Sequence, residues 1–133
     1  MKRIASVTLA WALAIISLAL TTLAGESNTV RRVSVDEFEK LSQVKTNVVL
    51  DVRTKKEFLA GHIAGAKNLD FNSPDFEKEL KQLDKTQVYL VHCASGRRSA
   101  LACEKMKHSG FQSIIEMPAG FRGWKQAGKP VEE

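Results

Sequence analysis

The chain has 133 residues, 44% of them hydrophobic and 26% charged, with a net charge of +5. That length suits one domain with one buried core and leaves no room for a second. The positive balance is too mild to argue for a nucleic-acid partner, and most basic residues are interleaved with acids, as in Asp36-Glu37-Phe38-Glu39-Lys40.

Lys2 and Arg3 precede an almost wholly apolar stretch from Ile4 to Leu20, followed by Thr22-Leu23-Ala24-Gly25. A basic start, an apolar run and small residues three and one before a cut after Ala24 read as a secretory signal peptide over residues 1–24. The rival reading is an uncleaved anchor, since the run approaches the ~18 apolar residues at which a membrane span begins. Ser6, Thr8 and Ser17 interrupt the run and favour cleavage. Cleavage leaves residues 25–133 as the domain; it removes Lys2 and Arg3 but no acid, so the net charge falls to +3. The expected location is then periplasmic or secreted, with a membrane involved only if the leader stays attached.

Beyond the leader, helix starts and apolar strands alternate. Ser34 and Glu37 have the spacing of a capping box, in which the side chains of both residues satisfy each other's backbone N–H. Val48-Val49-Leu50-Asp51-Val52 reads as a buried strand, and Thr54 with Glu57 as a second capping box. Gly61 stands where that helix ends, fitting the left-handed C-cap conformation. Ser73 with Pro74 supplies an N-cap followed by proline in the first turn of another helix. Val88-Tyr89-Leu90-Val91 is a second strand, and Ile114-Ile115 marks a third. Between them a helix is predicted from about Arg98 to His108, ended by Gly110, with Ser99, Ala102, Cys103 and Met106 on one face and Leu101 off it. Short apolar strands alternating with helices predict a three-layer α/β fold with a parallel sheet covered on both faces.

In such sheets the ligand site lies at the carboxyl ends of the strands. Two polar tips arrive there, Asp51-Val52-Arg53 and Cys93. Cys93 opens the loop Cys93-Ala94-Ser95-Gly96-Arg97-Arg98-Ser99, which runs straight into a helix. A thiol at a helix N-terminus, ringed by inward backbone N–H groups and guanidinium groups, has a lowered pKa and is held as the reactive thiolate. Gly96 permits the positive φ that a tight cradle needs.

Cys103 lies ten residues further on. A helical rise of about 1.5 Å per residue puts it on the order of 7 Å or more along the axis from Arg98. A disulfide needs Cα atoms closer than about 7 Å, so Cys103 reads as a small buried residue, with a redox partnership to Cys93 as the alternative.

The stretch Asp51-Val-Arg-Thr-Lys-Lys-Glu-Phe-Leu-Ala-Gly-His-Ile-Ala-Gly-Ala-Lys-Asn-Leu69 resembles the signature of the rhodanese family, Asp-Val-Arg followed by Glu-Phe and Gly-His-Ile-x-Gly-Ala-x-Asn. Cys93-Ala-Ser-Gly-Arg-Arg-Ser99 resembles the active-site loop of single-domain rhodaneses, and Gly120-Phe-Arg-Gly-Trp124 with Gly128-Lys-Pro130 resembles their C-terminal segment. The resemblance implies a central five-stranded parallel sheet flanked by helices and a thiosulfate sulfurtransferase. Cys93 then takes a sulfane sulfur from thiosulfate or a similar small donor and passes it to cyanide or a thiol, through a covalent intermediate. Backbone N–H groups of residues 94–98 hold the persulfide's charge. Substrate binding falls to Ala94, Ser95, Gly96, Arg97 and Arg98, whose guanidinium forks match oxyanions. Asp51, Arg53, His62 and Ser99 support the site. The resemblance implies no metal and no organic cofactor; a protein sulfur acceptor is a further option for the partner.

Each of these residues also has a plainer reading. Asp51 and Arg53 read as an orienting, charge-balancing pair, and Glu57 as a cap that pairs with Arg53. His62 reads as a hydrogen-bonded turn residue near the site. Alternation along the strand points His92 away from the pocket, and neither histidine has metal-ligand spacing. Trp124 packs the last helix onto the core or narrows the site's entrance. Arg97 faces substrate or solvent. Ala119 stands where the family commonly has the first of two glycines.

Two other functions compete with catalytic sulfur transfer. One is a persulfide carrier or interaction module with little small-molecule turnover. The other is a cysteine phosphatase or arsenate reductase, whose loop has five residues between cysteine and arginine where this chain has four between Cys93 and Arg98. A shorter loop makes a ring of amides suited to one sulfur atom and tight for a tetrahedral oxyanion.

Overall fold

The computed structural model describes residues 28–133, so the leader read over 1–24 and its cut lie outside the described residues. Five strands, β1 (Arg31–Arg32), β2 (Asn47–Asp51), β3 (Lys67–Asn68), β4 (Val88–His92) and β5 (Ser113–Glu116), form one parallel sheet. Their order is β1-β5-β4-β2-β3, which puts β4, the strand that delivers Cys93, in the middle. The three apolar runs became the three inner strands. The two edge strands are two residues long and carry Arg31, Arg32 and Lys67, and short charged edges resist pairing with another sheet.

Because successive side chains point to opposite faces, the inner strands feed two separate cores. On one face Leu50, Val52, Tyr89, Val91, Cys93 and Ile114 pack with α3 (Phe76–Leu80) and α4 (Arg97–His108). On the other, Val49, Leu90 and Ile115 pack with α1 (Val35–Ser42) and α5 (Gly120–Gln126) through Phe38, Phe121 and Trp124. The short α2 (Lys55–Leu59) buries no residue fully and lies beyond the end of β2. The expected stripe on α4 is borne out: Ser99, Ala102, Cys103 and Met106 are buried and Leu101 is exposed.

Several local expectations need correction. Helix α4 starts at Arg97 instead of Arg98, with Gly96 (φ 98°) as its N-cap. At α1 Ser34 Oγ accepts the Glu37 N–H at 3.2 Å, but the reciprocal half of the box is missing because the Glu37 carboxylate turns to Arg31. Ser73 and Pro74 do not open α3. Ser73 Oγ accepts the Asp75 N–H at 3.1 Å and its carbonyl accepts the Phe76 N–H, so these residues form a turn and the helix begins at Phe76. Gly61 follows α2 with φ 151°, outside the left-handed helical conformation, while Gly110 (φ 87°) fits the glycine C-cap. The Thr54–Glu57 box is complete.

The C-terminal segment folds back across the α5 side. Glu132 and His62 exchange backbone hydrogen bonds, both 2.8 Å, and Trp124 Nε1 donates to the Pro130 carbonyl at 2.8 Å. Lys129 closes the segment onto α1 by pairing with Asp36 (2.8 Å) and Glu39 (2.6 Å). Trp124, 2% exposed, is therefore a packing residue.

Candidate active site

The strand β4 is apolar through Val91 and ends at His92, so Cys93 emerges at the carboxyl edge of the sheet with its side chain on the α4 face. Gly96 turns the chain back at φ 98°, and its own N–H then donates to Cys93 Sγ at 3.1 Å. A Cβ at residue 96 would stand 2.5 Å from the Pro118 carbonyl oxygen, so the loop closes only with glycine there. A second glycine locks the loop from below. Gly120 has φ 65°, and a Cβ there would meet the Ala94 carbonyl oxygen at 2.4 Å. This close approach lets the Phe121 and Arg122 N–H groups donate to the carbonyls of Cys93 (2.7 Å) and Ala94 (3.0 Å). Ala119 has φ −58°, a conformation that needs no glycine at the position where the chain departs from the family pattern.

Burial alone pushes the Cys93 thiol up. Hydrogen bonding with the Ser99 hydroxyl and with the N–H groups of Ser99, Ser95 and Gly96 outweighs it and leaves the thiol below its ordinary value. The groups that lower it are thus one hydroxyl and three backbone amides, one of the amides lying just past the 94–98 segment read from sequence. Cys103 is the contrast. It is equally buried, both thiols are free, and burial followed by the Glu116 charge pushes its thiol far above the usual range. Of the two thiols, Cys103 is the one that burial keeps protonated.

Asp51 and Arg53 form a buried pair: Arg53 Nη2 reaches Asp51 Oδ2 at 2.7 Å and the Gly61 carbonyl at 2.7 Å, and Arg53 Nε bonds both carboxylate oxygens. This is the charge-balancing pair of the plainer reading. The expected Glu57–Arg53 pair does not form, because Arg53 doubles back onto its own strand end. Glu57 instead takes Arg98 in a two-pronged contact, at 2.7 and 2.9 Å, and with Thr54 this holds its carboxyl down at about 2. Arg98 is thereby fastened to α2 at the mouth of the site. Arg97 is exposed and carries no side-chain hydrogen bond among the described residues. His62 is a turn residue as read, with Nδ1 3.1 Å from the Phe58 carbonyl and its ring stacked on Phe58. His92 points to the opposite face, against Phe38 and Phe121, and burial lowers its pKa.

A pocket of about 330 Å³ lies beside the loop, lined by Arg53, Glu57, Ala60, Gly61, Ala94, Phe121, Arg122 and Lys125. Arg53 lies over the Phe121 ring at 3.9 Å and is neutralised by Asp51. Arg122 and Lys125, exposed on α5, have no carboxylate partner among the described residues, so they supply its free positive charge. Cys93 is 1% exposed and does not line this pocket, which its neighbour Ala94 does. Sequence reading missed Phe121, Arg122 and Lys125, although cations three apart on one helix share a face and were a usable signal. It also missed Glu116, an acid closing an apolar run and 1% exposed. A charge in such a run is a signal, since burial demands a partner.

The geometry matches what the comparisons return. The family profile described as the rhodanese-like domain matches residues 34–127. The thiosulfate sulfurtransferase GlpE of Pseudomonas putida is 32% identical over 103 residues, covering 77% of this chain and 90% of that protein. YrkF of Bacillus subtilis, named as a candidate sulfur carrier protein, is 29% identical over 99 residues, and the match spans 74% of this chain but only 52% of that relative. Among solved structures, a rhodanese-related protein from Thermoplasma volcanium is 29% identical and superposes with a TM-score of 0.67, over 77% of this chain and 97% of that one. The cradled cysteine at the end of a central parallel strand and the matched profile lead to one conclusion: the chain belongs to the rhodanese-like domain family.

Proposed function

We propose that the protein is a sulfurtransferase in which Cys93 carries sulfur as a persulfide. The carrying observation is the thiol with Gly96 N–H at 3.1 Å and a pKa lowered by the Ser99 hydroxyl and backbone amides, at the edge where a parallel sheet presents ligands. The thiolate attacks the outer sulfur of thiosulfate, the donor's S–S bond breaks, and sulfite leaves with the electron pair. Cyanide or a thiolate then attacks the outer sulfur of the persulfide, and Cys93 leaves as thiolate. The charge on sulfur never leaves the ring of amides, so the same donors stabilise the thiolate and the persulfide. Arg122 and Lys125 draw the anionic donor to the pocket. The test is thiocyanate formation from thiosulfate and cyanide with ping-pong kinetics, lost in Cys93→Ser; a fully active serine variant refutes the reading.

One observation favours a second reading, a persulfide carrier for a protein acceptor. Cys93 is 1% exposed, and the loop's inner arginine, Arg98, is held by Glu57 instead of standing free for a small oxyanion. Slow turnover of thiosulfate with retention of one extra sulfur on the purified protein supports it; rapid turnover rejects it. We further propose that the protein works outside the cytoplasm, on the strength of the leader pattern over 1–24; a native mass that includes those residues contradicts cleavage.

A further inference from the structure

Behind the sulfur stands a buried carboxylate that the sulfur-transfer chemistry leaves unused. Cys93 Sγ lies 3.4 Å from Ser99 Oγ, and Ser99 Oγ lies 2.9 Å from Glu116 Oε1. Glu116 is 1% exposed, on β5, and its other oxygen accepts from Arg32 Nε of β1 at 3.2 Å. The Gly96 carbonyl, 3.2 Å from Ser99 Oγ, is a third claimant on the hydroxyl. A serine hydroxyl has one proton to give. If Ser99 donates to Glu116, it faces the sulfur with lone pairs; if it donates to the sulfur, Glu116 must be neutral and donate in turn.

We propose that Glu116 is a positioning residue for Cys93, the two sharing a single proton through the Ser99 hydroxyl. In one arrangement Glu116 is ionised, Ser99 donates to it, and the Cys93 S–H donates to Ser99. In the other the sulfur is a thiolate that accepts from Ser99, and neutral Glu116 donates to Ser99 Oγ. Passing between them, the Cys93 proton moves to Ser99 Oγ as the Ser99 proton moves to Glu116. One S–H bond breaks, one carboxyl O–H bond forms, the net charge is unchanged and nothing is oxidised. The two groups then titrate as a pair. The other charged or titratable groups facing them are Arg32 across β5, Arg98 with its partner Glu57 at the loop, and Cys103 one turn along α4 from Ser99. The proposal deepens the sulfur-transfer reading and rests on it only for the use of the thiolate.

The pH dependence of Cys93 alkylation by iodoacetamide, read on the Cys93 peptide by mass spectrometry, gives the thiolate midpoint. Glu116→Gln mimics the neutral carboxyl, and the midpoint falls by about one pH unit, the scale of a hydrogen bond to a charged group. In a Ser99→Ala background the same substitution shifts the midpoint by half that amount or less. No shift, an upward shift, or one reduced by less than half without Ser99 overturns the proposal. If Glu116→Gln fails to fold, the wild-type chain decides. Its isotope-labelled Glu116 carboxyl resonance moves over the interval in which Cys93 ionises, and a resonance fixed through that interval overturns the proposal. None of these readings uses a sulfur donor, so failure here and failure of the sulfur-transfer assay are distinguishable.

Discussion

Cys93 and Cys103 are each 1% exposed and lie ten residues apart, one at the mouth of α4 and the other within it, yet their chemistry is opposite. Cys93 sits where helix N–H groups have no carbonyl partner and turn to the sulfur; Cys103 sits where every amide is spent within the helix. Burial raises both thiols, and only the first has donors enough to reverse the effect. Concealment therefore does not distinguish a reactive cysteine from an inert one. The supply of unspent donors does.

The comparison breaks most sharply by exchange of the thiols themselves. Cys93→Ser reduces thiocyanate formation to background, a loss of up to about 10⁶-fold on the scale of removing a covalent nucleophile, while Cys103→Ala keeps most of the activity. The opposite pattern refutes the assignment. Next in size is the loop that makes the donors available. Gly120→Ala places a Cβ 2.4 Å from the Ala94 carbonyl oxygen at a φ of 65°, and the strained backbone alone costs about 1–3 kcal/mol. A urea midpoint that falls together with Cys93 reactivity confirms this; an unchanged midpoint shows that the loop does not depend on the contact.

The order and period of the apolar runs made the sheet, its two covered faces and the position of Cys93 legible in the sequence. The edge strands were not legible from pattern, since Arg31–Arg32 and Lys67–Asn68 are too short and too charged to carry a strand period. Side-chain partnership was the least readable layer. Arg53 had two nearby acids, Asp51 and Glu57, and only the close of β2 against the Gly61 carbonyl decided for Asp51. Glu57 was thereby released to Arg98, forty-one residues away, a pairing no local spacing announces. Arg122, Lys125 and Glu116 enter the site's surroundings from α5 and β5, and only the fold brings them beside the loop.

Smaller effects sharpen the contrast between the paired and the unpaired cations around the site. Arg122→Gln and Lys125→Gln together raise KM for thiosulfate severalfold with little change in kcat, because exposed charges contribute about 1 kcal/mol or less each. An unchanged KM removes them from substrate capture. Glu57→Gln releases Arg98 and gives the smallest expected change, since the pair is partly exposed. Its sign is fixed by linkage: a carboxyl held at about 2 when folded stabilises the protein above its ordinary value of 4.5. That stabilisation fades as pH falls toward about 2, so wild type and Glu57→Gln differ in denaturation midpoint at neutral pH and converge in acid. A constant difference across that range contradicts the pairing.

The most direct measurement compares alkylation of the two cysteines, peptide by peptide, in the native protein across pH. Cys93 reaches half its limiting rate below the ordinary thiol value, and Cys103 stays unmodified until the chain is unfolded. A Cys93 midpoint at or above that value, or a native Cys103 that reacts as fast, contradicts the claim that the Ser99 hydroxyl and unspent backbone amides make this one hidden thiol reactive.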